Sequence, residues 1–242
     1  MTKKCLLALA LVLFVAGGAF AQTDSETMPK NTVTVDFGPT IAGAAIGALG
    51  TLMEDDADGL SSPGFGIAAQ YERQILKLLS AAGRFAYLGG GLGFVEKEGG
   101  LRAELKMNIY SFSIEGHVRL YPFGRRTFFL DGMLGYAYMS TTFSGEVIVD
   151  GIKESASFTA SRNYFKYGAK LGWRIDFGKP GGFTFEPSLG WYGGAGGGDT
   201  IGKQLNNAVG SEVDGLDEMF SAFENFIFIG GPRLALSFGW RF

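Results

Sequence analysis

The stretch that decides the fold is Asn163-Tyr-Phe-Lys-Tyr-Gly-Ala-Lys-Leu-Gly-Trp-Arg-Ile-Asp-Phe177. From Phe165 onward, every second side chain is apolar or aromatic, and the positions between carry Lys, Arg, Asp or Gly. A period of two is typical of a β-strand, whose successive side chains point to opposite faces. Strands of soluble proteins usually have about five or six residues. The longer run at 163–177 is long enough to cross a lipid bilayer at a tilt.

The same alternation recurs along the chain. At the C-terminus, for example, Leu234 shares one face with the aromatic residues at 238, 240 and 242. Strands are predicted at 32–42, 64–75, 84–96, 110–121, 127–140, 163–177, 183–191 and 233–242. Strand 84–96 is rich in glycine, so the sequence leaves its facing ambiguous. Pro39 and Pro187 lack the N–H that a ladder needs, and they are predicted to mark bulges or strand ends.

The connections between these strands alternate in length. Long segments at 43–63, 97–109, 141–162 and 193–231 alternate with short ones at 76–83, 122–126 and 178–182. Barrels of the outer membrane have long external loops at one end and short periplasmic turns at the other. We therefore predict an all-β fold, a transmembrane antiparallel up-and-down β-barrel of eight strands. Weak alternation at 101–107 and 146–149 leaves ten strands as an alternative.

The second face of the predicted strands carries a balanced set of charges, six acids and six bases, together with the only histidine. A buried charge is costly unless it has a partner, so such a balance is typical of a sealed interior. An ordinary solvated face is the alternative, because mixed charges are also normal on surfaces. The predicted lumen charge network consists of Asp36, Glu72, Glu115, His117, Arg119, Asp131, Lys166, Lys170, Arg174, Asp176, Glu186, Arg233 and Arg241.

Aromatic residues recur near the strand ends that adjoin the short turns. Rings with an apolar body suit the level of the lipid headgroups, where outer-membrane barrels carry aromatic girdles. The predicted girdle consists of Phe85, Tyr121, Phe123, Phe128, Phe177, Phe183 and Phe242.

The N-terminus has the organisation of an export signal. Lys3 and Lys4 precede an apolar run at 6–15, and Ala19-Phe20-Ala21 supplies a small-x-small cleavage site. We expect residues 1–21 to be removed and 22–242 to form a single domain. Cleavage would also remove Cys5, the one cysteine, so no disulfide or thiolate metal site is expected. It would leave 19 basic against 24 acidic residues, a balance that does not favour a nucleic-acid partner.

Two stretches carry a resemblance to a known group of proteins. Residues 110–124, running into 128–138, resemble the paired strands of small bacterial outer-membrane barrels of the OmpW, OmpX and opacity-protein type. The terminal 234–242 resembles the C-terminal signal that the barrel assembly machinery reads, with Leu236, Phe238, Trp240 and Phe242 as its residues. The resemblance implies a bacterial outer-membrane location, contact with outer-membrane lipid, and this machinery as a partner during insertion.

Two functions remain open from the sequence. OmpW-like members of the group imply narrow or lateral passage of small solutes, apolar ones included, although a charged lumen departs from an apolar conduit. The alternative is a non-conducting structural or adhesin-type barrel whose external loops bind host or neighbouring molecules. General diffusion is not expected, because eight strands enclose an interior that side chains fill.

No enzyme activity, cofactor or metal is expected. Ser111 and Ser113 share a face with His117, but at about 3.3 Å per residue they lie roughly 13 Å or more away along the strand. A serine on a neighbouring strand remains open. The glycine runs at 89–91 and 193–198 lack the strand–loop–helix context of a phosphate loop, and are predicted to be strand kinks or flexible loops.

Two segments of the long connections have a local pattern of their own. The acidic segment Glu54, Asp55, Asp56 and Asp58 is predicted to be solvated, with divalent cation binding as an alternative. Leu216, Met219, Phe220 and Phe223 fall at helical spacing, so a short helix is predicted within 214–226, with an extension of the last strand as the alternative.

Overall fold

The computed structural model describes residues 30–37, 60–98, 101–123, 127–149, 152–177, 181–209 and 231–242. The export signal at 1–21, the predicted bulge at Pro39, the acidic segment at 54–58 and the predicted helix within 214–226 lie outside these residues.

Nine strands and one helix make up the described chain. They are β1 (Asn31–Asp36), β2 (Leu60–Leu76), β3 (Leu79–Glu98), β4 (Leu101–Leu120), β5 (Phe128–Val149), β6 (Ile152–Trp173), β7 (Ile175–Asp176), β8 (Phe183–Gly197), α1 (Ile201–Val209) and β9 (Gly231–Arg241).

All strand pairings are antiparallel, and they close a ring. Strands β1 to β6 pair in sequence order, β6 pairs with β8, β8 with β9, and β9 returns to β1. Because β7 continues the path of β6, the two together count as one strand of the barrel wall. We call each of the eight resulting wall strands a stave. The predicted eight-stranded antiparallel barrel is confirmed. Separately, no helix in the described residues is long and apolar enough to span a membrane.

Pro187 explains the break between β6 and β7. Gly172 pairs with Ser188 before the break and Ile175 with Phe185 after it, so each strand advances by three residues and no register is lost. The proline lies opposite the gap and has no N–H to donate, so the ladder is interrupted there. Strand β8 itself continues through Pro187 in register with β9. The expected bulge or strand end at this proline is therefore wrong.

The four long connections join strand ends at one end of the barrel, as expected, but two of them are not loops. Segments 97–109 and 141–162 belong mostly to β3, β4, β5 and β6, which run to within a few residues of each hairpin tip. The weak alternation at 101–107 and 146–149 belongs to these same strands, so the described residues do not form the alternative ten-stranded barrel. A bilayer crossing needs about 9–11 residues, whereas these strands have 20 to 22. We call their outer halves, residues 90–98, 101–109, 140–149 and 152–162, the projecting sheet.

The two faces of the wall differ sharply in chemistry. Large apolar side chains are exposed on the outside, among them all three tryptophans, whereas most of the predicted lumen charges are buried inside. On β3, Phe85 and Tyr87 point outward and Ala86 is buried, which settles the facing that the sequence left ambiguous. Tyr121 is 1% exposed and belongs to the interior, so its assignment to the aromatic girdle is wrong.

Candidate functional site: the lumen and its external mouth

The part of the lumen nearest the short turns, which we call the lower lumen, holds a compact ionic cluster. Glu72 accepts hydrogen bonds from Nη1 of Arg119 and Nη2 of Arg174, both at 2.6 Å. Glu186 accepts from the same two guanidinium groups, at 2.9 Å from Arg119 and 2.5 Å from Arg174. The hydroxyl groups of Tyr121 and Ser80 also donate hydrogen bonds to Glu72, at 2.6 Å and 2.8 Å, which explains why Tyr121 faces inward. Two acids and two bases thus neutralise each other in space from which water is excluded.

A second cluster lies further toward the external mouth. Arg84 bridges Glu115 at 2.7 Å and Asp36 at 2.8 Å through its two terminal nitrogens. Glu115 also accepts from Lys166 at 2.5 Å and from Ser113 at 2.8 Å. These side chains come from β1, β3, β4 and β6, so the cluster ties staves on different sides of the barrel together.

His117 and Asp131 link the two clusters. Nδ1 of His117 lies 2.8 Å from Asp131, and Nε2 lies 3.4 Å from Glu115. Asp131 in turn accepts from Nε of Arg119 at 2.7 Å, and Nζ of Lys170 lies 3.5 Å away. The charges therefore form one network along the lumen rather than separate pairs.

The surroundings of His117 do not match those of a catalytic base. A Ser–His hydrolase needs an imidazole nitrogen that faces the nucleophilic hydroxyl. Here both nitrogens face carboxylates, and the hydroxyl of Ser113 donates to Glu115 instead. Within the described residues, no group of three His, Cys, Asp or Glu side chains is placed to hold a metal ion.

Two of the predicted lumen residues, Asp176 and Arg241, lie apart from this network. Asp176 pairs with Arg241 at the turn-side rim, where the carboxylate is 38% exposed. The guanidinium of Arg233 lies 5.8 Å from the centre of the Tyr192 ring. The residues proposed as an assembly signal, Leu236, Phe238, Trp240 and Phe242, lie on the outward face of β9 and just beyond it.

Arg84 belongs to the network but was not among the predicted lumen residues. It precedes the glycine-rich part of β3, where the repeated glycines hide the period of two. The alternation of Phe85 and Tyr87 was the available signal, since outward rings at odd positions place even positions inside.

Glycines on the inner face leave room for the bulky members of the lumen. A Cβ at Gly135 would lie 2.8 Å from Cγ of Glu115, and one at Gly190 would lie 2.6 Å from Cβ of Lys170. Both glycines are paired directly opposite the side chains they accommodate. Part of the high glycine content therefore serves the close packing of the charged lumen.

The external mouth of the barrel is lined by apolar side chains, whereas the lower lumen is lined by charged ones. Ile201, in the first turn of α1, is 1% exposed and lies in one cluster with residues from four staves. Leu205, one turn later, packs against the same cluster. The remaining members are Leu88, Ile109, Ala137, Met139, Ala160 and Tyr164, with Met107, Phe143 and Phe158 at the edge. Helix α1 thus packs its apolar side chains against the outer end of the interior.

One side chain attaches α1 to the wall. The pairing of β6 with β8 ends at Asn163 opposite Gly197, so the edge of β6 is unpaired with β8 beyond this point. Gln204 accepts a hydrogen bond from the Ser161 N–H at 3.2 Å and donates to the Ser161 carbonyl at 3.0 Å. The amide of Gln204 therefore takes the place of a strand residue at this edge. Helix α1 was not predicted from the sequence. The segment 214–226, further along the same connection, has a stronger helical spacing of apolar residues.

Replacing Gln204 with Ala is expected to loosen α1 from the edge of β6. The change removes the two hydrogen bonds to Ser161, each worth about 1 kcal/mol, and a third to the Asp199 carbonyl. Amide exchange at Ser161 should therefore accelerate roughly tenfold or more. Lys203→Ala is the matched control, because that side chain is exposed on the same helix. An unchanged exchange rate at Ser161 in Gln204→Ala would show that the contact does not hold the helix.

Comparison with known proteins places the chain near solved barrels only at low identity. No family model matches the sequence, and no curated protein matches it significantly. The fold is similar to Ail, the attachment invasion locus protein of Yersinia pestis, at 12% identity over 89% of this chain and 100% of Ail, with a TM-score of 0.41. CarO2 of Acinetobacter baumannii is similar at 11% identity over 90% of this chain and 100% of its own, with a TM-score of 0.34. A major outer membrane protein from Thermus thermophilus is similar at 10% identity over 88% and 99% of the two chains, with a TM-score of 0.38.

Proposed function

We propose that this chain is an integral protein of a bacterial outer membrane, with a non-conducting barrel and an external part that binds molecules outside the cell. In this proposal the leader at 1–21 directs export, and the outward residues of β9 are read by the barrel assembly machinery. The mature chain then spans the membrane with the projecting sheet outside and the short turns in the periplasm.

The distribution of apolar surface supports the membrane location. Monomeric soluble proteins rarely expose a contiguous apolar patch of more than a few hundred Å². Here Leu134 is 56% exposed, Ile114 60% and Trp191 65%, and similar side chains surround the barrel. The charged residues are buried inside instead. Since a closed barrel also pairs its backbone groups, it can span a bilayer without leaving a sheet edge in lipid.

The non-conducting character is supported above all by the ionic network that fills the lower lumen. Arg119 and Arg174 reach across the interior to the same two carboxylates, so side chains occupy the space that a water-filled path would need. The apolar cluster beneath α1 adds a second obstruction at the external end.

The purified protein, refolded into planar lipid bilayers, is expected to give no steady conductance steps. The combined variant Arg174→Ala, Glu186→Ala removes one base and one acid of the cluster, so the remaining charges stay balanced, and it should show ion flow. Discrete, reproducible conductance of the unaltered barrel would contradict a sealed lumen.

A second candidate is the passage of small apolar solutes through the external mouth and out through the wall. The apolar cluster around Ile201 favours it, because such solutes could partition there. Uptake of small apolar solutes by cells that carry the protein, compared with cells that lack it, tests this candidate independently of conductance.

A further inference from the structure

The outward face of the strands changes its chemistry in order along the barrel axis. On β5 the outward positions run from Leu130 and Leu134 through Tyr136 to Thr142 and Ser144. On β6 they run from Trp173 and Leu171 through Tyr167 to Thr159 and Ser157. Apolar side chains thus give way first to tyrosines and then to small hydroxyls. This order matches the passage from acyl chains through the interface to a sugar layer.

The register of β4, β5 and β6 aligns the polar residues of the projecting sheet into rows. Asn108 pairs with Thr142, and Thr142 with Thr159. In the next row Ser144 pairs with Ser157, and beyond it Ser155 follows on β6. The hydroxyls of Thr142 and Thr159 lie 3.1 Å apart. We call this surface, formed by Asn108, Thr142, Ser144, Ser155, Ser157 and Thr159, the hydroxyl face.

The charges beside the hydroxyl face are paired with one another. Lys106 pairs with Glu104 on the same strand, and Lys153 pairs with Glu146 across β5 and β6 at 2.7 Å. A groove of about 290 Å³ lies among Glu104, Lys106, Ser144, Glu146, Ser155 and Ser157. The walls of the groove therefore offer many hydrogen-bonding groups with charges that largely cancel.

We propose that the hydroxyl face binds the neutral sugars of the outer-leaflet glycolipid that surrounds the barrel, an inference that rests on the proposed membrane location. Serine and threonine hydroxyls both donate and accept hydrogen bonds, and so do the hydroxyls of a sugar. The tyrosines just below the face, Tyr110 and Tyr138, have ring centres 6.0 Å apart and add amphipathic surface at the boundary.

The position of the hydroxyl face and the pairing of the charges beside it both favour a neutral glycolipid headgroup as its ligand. The hydroxyl face continues the lipid-facing surface of the same three strands, so a lipid seated against Leu134 and Tyr136 would bring its headgroup to Thr142 and Ser144. Since the neighbouring lysines are paired with carboxylates, the face suits uncharged sugars better than phosphates. Binding the headgroup would anchor the projecting sheet against the surrounding glycolipid layer.

The test uses the folded full-length barrel in detergent micelles and two probes: lipooligosaccharide with its core sugars, and lipid A without them. Backbone amide signals of 142–146 and 155–159 should shift with lipooligosaccharide and not with lipid A. In the double variant Ser144→Ala, Ser157→Ala the apparent affinity should fall about tenfold or more, as expected from the loss of two hydrogen-bonding groups. Thr127→Ala, an exposed hydroxyl at the opposite end of the wall, is the control and should bind unchanged.

Equal shifts with both probes, or an unchanged affinity in the double variant, would overturn the proposal. Equal binding of the free core oligosaccharide without its lipid would also overturn it, because the occupant would then be a soluble glycan. The test also distinguishes this inference from the proposed function. If the barrel is folded only in detergent or lipid but does not bind the sugars, the membrane location is supported and the headgroup site is refuted.

Discussion

Replacing Arg174 with Met is expected to lower the free energy of unfolding by about 3–5 kcal/mol, the usual cost of breaking a buried ion pair. The substitution leaves Glu72 and Glu186 with Arg119 as their one remaining guanidinium within the lower cluster. Arg174 is 2% exposed, so water cannot replace the lost donor cheaply. Urea unfolding in lipid vesicles measures the loss, and tryptophan fluorescence reports it because all three tryptophans lie on the outward face of the wall.

Arg73→Met provides the matched control for this prediction. Arg73 adjoins Glu72 but points outward and is exposed, so its replacement should change the unfolding free energy by less than about 0.5 kcal/mol. The double variant Arg174→Met, Glu186→Gln should recover part of the loss, because it restores one acid to one base. If Arg174→Met and Arg73→Met unfold at the same urea concentration, the ionic cluster does not stabilise the barrel.

The period of two was sufficient to predict which residues face the interior on most strands. Seven of the eight staves carry enough large apolar side chains for the pattern to be read, and there the inward charges lie where the alternation places them. On β3 the glycines remove that signal, and Arg84 was missed for this reason. Facing is a local property of a strand, so it can be read wherever the side chains are informative.

The length of the strands and the presence of helix α1 at the outer end of the interior were harder to predict. The outer halves of β4, β5 and β6 carry Ser, Thr, Lys and Glu on their outward face, so they lack the apolar alternation of the other halves and resemble loops. Their strand structure comes from pairing with each other, which is a tertiary property. Helix α1 was missed because its position depends on the free edge of β6 and on the apolar mouth, neither of which is visible in its own nine residues.

Replacing Gly239 with Val is expected to prevent closure of the barrel. Gly239 on β9 is paired with Thr34 on β1, and a Cβ there would collide with the carbonyl oxygen of Val33 and lie 2.6 Å from Cγ2 of Thr34. Strand β1 has six residues, so little pairing remains to hold this seam once it is forced apart. Open strand edges in lipid leave backbone groups unsatisfied, each at a cost of several kcal/mol.

Gly132→Val separates this steric effect from the general loss of a glycine. Gly132 points outward on β5 and has open space where a Cβ would lie, and valine suits both a strand and an apolar outward face. After refolding into detergent micelles, the fraction whose gel mobility changes on heating should fall at least tenfold in Gly239→Val and stay near that of the unaltered chain in Gly132→Val. A normal folded fraction in Gly239→Val would mean that β1 and β9 do not close the wall in the register described. Because sealed charges and a lipid-facing exterior both require a closed wall, the same result would also remove the basis for a non-conducting lumen.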